Sequence, residues 1–186
     1  MISGGGRTLT NLKRACDAGE IPARIVGVVA SRECPGVEAA SGLGIPARVV
    51  AGEISAAELQ RLAVEFGASW VVLAGYLRKL AIPRGLEGRV VNIHPALLPK
   101  FGGAGMYGMH VHRAVLAAGE RVSGCTVHFC DGEYDEGATI LQRQCPVLPG
   151  DTAETLAARV FEVECRTYPE ALRMVLAADC GGGLDA

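Results

Sequence analysis

The chain carries no basic excess. Its Lys and Arg total 18 against 20 Asp and Glu, a formal net charge of -2. A polyanion-binding protein ordinarily shows the opposite balance, so nucleic acid is not expected as a partner. No uninterrupted apolar run approaches the roughly 18–20 residues that a membrane helix needs. The opening MISGGGRTLTNL has no charged segment followed by an apolar one, so neither a membrane partner nor a signal peptide is expected. There is no CxxC among the seven cysteines, Cys16, Cys34, Cys125, Cys130, Cys145, Cys165 and Cys180. An odd count without paired spacing reads as free, mostly buried thiols in a cytoplasmic setting. Cys125, His128 and Cys130 share one strand-like run, and no second ligand pair has zinc-like spacing, so no metal is expected. Internal repeats and interdomain linkers are missing as well.

What remains is a chain of 186 residues, 49% hydrophobic and 20% charged. These values suit one globular domain, 1–178, followed by a frayed tail, 179–186. Apolar β-branched runs alternate with helix-period segments. Ile25–Ala30, Trp70–Ala74, Val90–Ile93, Val122–Phe129 and Thr139–Val147 read as strands. Ser55–Phe66 places Leu59, Leu62, Ala63 and Phe66 on one helical face, with Ser55 as its N-cap. His112–Ala118 reads as a helix. Asp151 or Thr152 caps a last helix running toward Ala178, which Pro169 is expected to kink or split. Strands and helices in this order predict an open α/β sheet covered on both faces.

One strand is in short supply. A doubly wound sheet opens with a strand that feeds its glycine loop. Here the loop begins at Ser3, after Met1 and Ile2 alone. The first strand is therefore expected to be largely missing, with residues 1–6 in the right place but making few ladder bonds.

Three segments carry chemistry. Ser3–Thr8 (SGGGRT) precedes a helical pattern through Leu9, Leu12 and Cys16. Glycines turn the backbone N–H groups outward, the helix start adds partial positive charge, and Arg7 adds a full one, which suits a phosphate monoester. It is neither a Walker A loop nor a dinucleotide fingerprint, and a plain strand-to-helix turn is the competing reading. In Val90–Pro99, alternation puts Asn92 and His94 on one side of a strand that Pro95 ends. Both side chains then sit at a carboxyl edge, where open α/β sheets bind ligands. An amide and an imidazole there can hold an oxyanion and manage a proton; a histidine satisfied by backbone is the plain alternative. In Val127–Ile140, an acidic turn ends in Asp135-Glu136-Gly137. Such carboxylates are ordinarily just solvated, but an Asp within reach of His94 orients the ring and raises its pKa.

Asn92-Ile93-His94-Pro95, Leu97-Leu98-Pro99, Gly124 to Phe129 (GCTVHF) and Asp135-Glu136-Gly137 together resemble the folate-dependent formyltransferase family. Ser3–Thr8, Leu73 to Arg78 (LAGYLR), Glu164 and Tyr168-Pro169 resemble its single-domain members that act on glycinamide ribonucleotide. The similarity runs from Ile2 to about Leu176. It implies a Rossmann-like, mostly parallel sheet of about six or seven strands with helices on both faces.

By position the resemblance implies a catalytic trio of Asn92, His94 and Asp135. It implies substrate contacts at Gly5, Gly6, Arg7 and Thr8 for the phosphate and at Glu164 for the ribonucleotide. The pterin of 10-formyltetrahydrofolate, the co-substrate, falls to Leu77, Arg78, Lys79 and Leu80, to Asn92, and to Asp131, Gly132, Glu133, Tyr134 and Asp135. The implied activity is transfer of the formyl group to the amine of glycinamide ribonucleotide in purine biosynthesis, without metal. A monomer or homodimer with small-molecule substrates is expected. Two departures from the family pattern stand out: the long glycine-rich loop Phe101–Met109, which leads into His110-Val111-His112, and the short start. Formyl transfer to another amine, or a truncated ligand-binding relative without activity, are the alternatives. The tRNA-acting members add a C-terminal domain and the formyltetrahydrofolate hydrolases an N-terminal one, for which 186 residues leave no room.

Overall fold

The computed structural model describes residues 1–181, and side chains as far as Asp179. Six strands are present among them: β1 (Val28–Ala30), β2 (Ala47–Val49), β3 (Val71–Leu73), β4 (Val90–His94), β5 (Val122–Phe129) and β6 (Thr139–Pro146). Five α-helices alternate with them: α1 (Arg7–Asp17), α2 (Pro35–Gly42), α3 (Ala56–Phe66), α4 (Met109–Ala117) and α5 (Ala153–Gly181). Of the expected tail, residues 179–181 belong to α5, and 182–186 lie outside the described residues.

Strand alternation sorts the core into two faces. In β4, Val91 and Ile93 pack with Leu12 of α1, Val115 of α4 and Leu156, Val160 and Leu172 of α5. Val90, between them in parity, packs with Leu59, Leu62 and Ala63 of α3. Helices therefore cover both faces, as the pattern predicts. The Ser55 Oγ accepts the Glu58 N–H at 3.2 Å and caps α3.

The sheet is mixed rather than mostly parallel. β1 runs parallel to β2 and β3 to β4, but β4–β5 and β5–β6 are antiparallel, and they form the longest ladders. For β5–β6 the reason is the connection: the two are joined by the short acidic turn, and parallel strands would need a crossover of a dozen or more residues.

Pro169 does not split the last helix. A proline cannot bond the carbonyl four residues back, and in α5 that carbonyl, on Cys165, accepts the Asn11 Nδ2–H at 2.9 Å instead. The adjacent Tyr168 is fully buried, and its hydroxyl donates to the Leu73 and Val91 carbonyls at 2.9 and 3.0 Å. Those bonds fasten the helix across β3 and β4.

Met1–Ser3 bonds far more fully than expected. The Ile2 N–H donates to Val29 and the Ile2 carbonyl accepts from Ser31, at 2.9 and 3.0 Å. On the other side the Met1 carbonyl accepts from Ala74 at 2.8 Å, the Ser3 N–H donates to Gly75 at 3.0 Å, and the Met1 amine donates to Val72 at 2.6 Å. The segment thus lies between β1 and β3 and bridges the two sheets. Burial pushes the Met1 amine down to about 5. Beyond the amine, a cavity of about 400 Å³ runs between Ile25–Val28 and Trp70–Val72, walled by Leu62, Phe66 and Leu172.

Candidate active site

A second cavity, about 560 Å³, opens at the carboxyl ends of Met1–Ser3, β3 and β4. At one end is the glycine loop. Gly6 has a left-handed φ of 77° and lies so close to Gly36 that a Cβ would meet its Cα at 2.9 Å. The loop is braced from outside: Ser3 Oγ meets Ser31 Oγ at 2.7 Å and accepts the Leu77 N–H at 3.0 Å, and Arg32 donates to the Ser3 carbonyl at 2.9 Å. No side chain caps α1, so the N–H groups of its first turn stand open to an anion. Gly5, Gly6, Arg7, Thr8 and Glu164 all line this cavity. The Arg7 guanidinium lies 4.2 Å from the Phe161 ring centre. Burial pushes the Glu164 carboxyl up to about 7, and Arg7 pulls against it.

At the other end the trio converges. Register places Asn92 opposite His128 and His94 opposite Thr126. Asp135 holds a left-handed φ of 60° at the end of the acidic turn. Its Oδ2 lies 3.3 Å from His94 Nδ1 and accepts the Gly103 N–H at 3.0 Å, while Oδ1 lies 3.4 Å from His128 Nε2. His94 Nε2–H donates to the Phe101 carbonyl at 2.7 Å. His128 donates from Nδ1 to the Phe129 carbonyl at 2.8 Å. The Asn92 Nδ2 lies 3.2 Å from the same His128 Nε2, and Asn92 lines the cavity. Phe101 and the glycines after it thus tie the long loop to both His94 and Asp135.

The electrostatics qualify one expectation. Asp135 does pull the His94 pKa upward, as expected, yet the ring still lies below its ordinary value. Burial is the largest cause, and it outweighs the opposing pull of Asp135 and the Phe101 carbonyl. Burial also pushes the Asp135 carboxyl up, but His128, His94 and the Gly103 N–H together hold it below the usual carboxylate range. At neutral pH the open site holds an ionised Asp135 beside an uncharged His94.

The folate set divides. Leu77, Asn92, Tyr134 and Asp135 line the cavity. Leu80 is buried in the core beside Ile54. Arg78, Lys79, Asp131, Gly132 and Glu133 stand outside the lining; Lys79 pairs with Glu133 at 3.2 Å and faces the Tyr134 ring. Gly103–Met109, His112 and Phe161 line the cavity without having been singled out as site residues. The helix period places Phe161 near Glu164, a signal the sequence did contain; the loop stood out there only as a long glycine-rich departure from the family pattern. Cys125 packs in the α5-side core and Cys130, just past the end of β5, against the α3-side core, so the zinc arrangement weighed from the sequence does not assemble.

The formyl transferase family model matches residues 1–172. A chloroplastic phosphoribosylglycinamide formyltransferase of Vigna unguiculata is 41% identical over 178 residues, 91% of this chain and 57% of that protein. The chain thus spans less than two thirds of that plant relative. The phosphoribosylglycinamide formyltransferase of Haemophilus influenzae is 34% identical over 182 residues, 91% of this chain and 82% of that protein. The crystal structure of glycinamide ribonucleotide transformylase 1 from Symbiobacterium toebii superimposes with a TM-score of 0.85 at 37% identity, covering 95% of this chain and 85% of that one. The fold, the convergence of Asn92, His94 and Asp135, and the matched residues agree: the chain belongs to the formyl transferase family.

Proposed function

We propose that this site moves the formyl group of 10-formyltetrahydrofolate to the primary amine of glycinamide ribonucleotide, the phosphoribosylglycinamide formyltransferase reaction of de novo purine biosynthesis. The observation that carries it is the shared cavity: a backbone loop suited to a phosphate monoester and an amide–imidazole–carboxylate trio open onto one space. The relatives' names point the same way.

The chemistry follows from the groups present. The neutral amine attacks the formyl carbon, a C–N bond forms, and the carbonyl pair moves onto oxygen. The Asn92 amide N–H and the His94 Nε2–H are the donors for that oxyanion, the latter exchanging the Phe101 carbonyl for it. As negative charge develops on that oxygen, His94 takes up the proton that the attacking amine loses, and Asp135 steadies the ring until the proton passes on. The adduct collapses by breaking the bond from carbon to the folate nitrogen, which takes the proton that the amine loses. Leu77, Tyr134 and the backbone around Asp131–Asp135 are assigned to the folate, with Arg78, Lys79, Leu80, Gly132 and Glu133 in the supporting segments.

Two finer points belong to this reading. Met1–Ser3, bonded on both sides, supports a seventh strand position at the centre of a single sheet. Free cysteines at all six described positions support a reducing, cytoplasmic setting; no described helix is long and apolar enough to cross a membrane. The deciding experiment mixes the purified chain with both substrates and follows formylglycinamide ribonucleotide by mass. Absence of that product, with folded protein, overturns the reading.

A further inference from the structure

One polar side chain in the cavity takes part in no step above. His112, on α4, is 5% exposed and lines the same space as Asn92, His94 and Asp135. Val111 and Val115 beside it are buried and hold the helix in the core, so the ring has little freedom to turn away. Its Nδ1 is sealed from solvent and has no hydrogen-bond partner among the described residues. A sealed N–H without an acceptor is rarer and costlier than a sealed lone pair. The ring proton therefore belongs on Nε2, which makes that nitrogen a donor and the one ring atom left to meet a ligand. Burial, and after it the neighbouring His94, keep the ring's pKa below its ordinary value, so it is uncharged at neutral pH. The ring shares the cavity with Asn92, His94 and Asp135, and His94 is the titratable neighbour that adds to the lowering. An uncharged donor in that position suits a neutral oxygen.

We propose that His112 is a substrate-binding residue whose Nε2–H donates to the carbonyl oxygen of the glycinamide arm and so aims the adjacent amine at the formyl carbon. The assignment rests on the formyl-transfer reading and deepens it. The oxygen lies one bond from the carbon that bears the amine-carrying methylene, so holding it limits the arc through which the nucleophile swings.

The test is steady-state kinetics of His112→Leu and His112→Gln beside the wild type, with ¹⁵N imidazole spectra of the wild type. His112→Leu is expected to raise KM for glycinamide ribonucleotide about tenfold, a loss of one uncharged hydrogen bond. KM for the formyl donor should stay within about twofold, and His112→Gln, which keeps a donor, should recover most of the loss. The spectra should show the Nε2–H form and a shift of Nε2 on adding glycinamide ribonucleotide. An unchanged KM for the ribonucleotide in both variants, or a ring protonated at Nδ1, overturns the proposal. Should His112→Leu not fold, His112→Gln and the spectra decide. If the wild type yields no formylated product, the formyl-transfer reading falls, while the ¹⁵N titration still reports on contact at His112.

Discussion

The antiparallel and the parallel parts of the molecule are built differently. The β4–β6 half rests on an antiparallel hairpin whose two strands are eight residues each, and it carries Asn92, His94, His128 and the turn to Asp135. The half made of Met1–Ser3, β1, β2 and β3 uses parallel segments of three residues, encloses a buried amine and a cavity of about 400 Å³, and carries the glycine loop. Side chains that must meet within a few tenths of an ångström stand on the long ladder. Backbone N–H groups that need only face an anion hang from the short one.

This contrast can be broken at either half, and the largest effect belongs to the hairpin half. His94→Ala, Asn92→Ala and Asp135→Asn should each lower turnover about a hundredfold or more while leaving KM within a few-fold. Near-normal turnover in all three would detach the trio from the chemistry.

Stability probes the parallel half. Val29 and Val72 alternate with residues that face β2 and β4, so their N–H groups point toward the cavity ahead of Met1. An extension of five apolar residues ahead of Met1 should fill that space and raise the melting temperature by about 5–10 °C over a Gly/Ser extension of equal length. Each large side chain buried there contributes roughly 1.5–3 kcal/mol before ordering entropy is subtracted, and about 1 kcal/mol shifts a chain of this size by 2–4 °C. Equal melting of the two extended chains would show that the cavity does not take a strand.

The same half should respond to pH. The Met1 amine titrates near 8.0 when unfolded and near 5 when folded. Between those values the unfolded chain holds the extra proton, so this group makes stability rise with pH from 5 to 8. Melting temperatures should climb by a few degrees between pH 6 and 8, and the climb should shrink once an apolar extension converts the amine to a peptide N–H. A slope unaltered by the extension would assign it to other groups.

Gly6→Ala tests the loop itself. It places a side chain at a left-handed φ and against Gly36, and should raise KM for the ribonucleotide about tenfold with a smaller change in turnover. At the bottom of the scale, exhaustive chelation should leave activity unchanged, since the proposed steps use hydrogen bonds and proton transfer alone; loss restored by added zinc would refute that.

Much was legible in the chain because local rules write it locally. Alternation put Asn92 and His94 on one side of β4, a serine before an amphipathic run capped α3, and glycines before a helix marked the anion-facing loop. Where a reading failed, the missing term was long-range. Pro169 looked like a break because Asn11, the donor that satisfies the Cys165 carbonyl left unmet by the proline, lies 154 positions from Cys165 in sequence. The sheet looked mostly parallel because a strand pattern carries no direction.

Residue types and spacing therefore determined which groups this protein can bring to bear: the trio, the glycine loop, the acidic turn, the free thiols. Tertiary structure alone decided their states. It made His94 neutral despite Asp135, drew Glu164 up to about 7 and the Met1 amine down to about 5, and set His112 against the cavity with one nitrogen sealed. The physical reason is that periodicity and capping act within a turn or a strand, whereas desolvation depends on everything that packs around a group, and that is assembled only when distant segments meet.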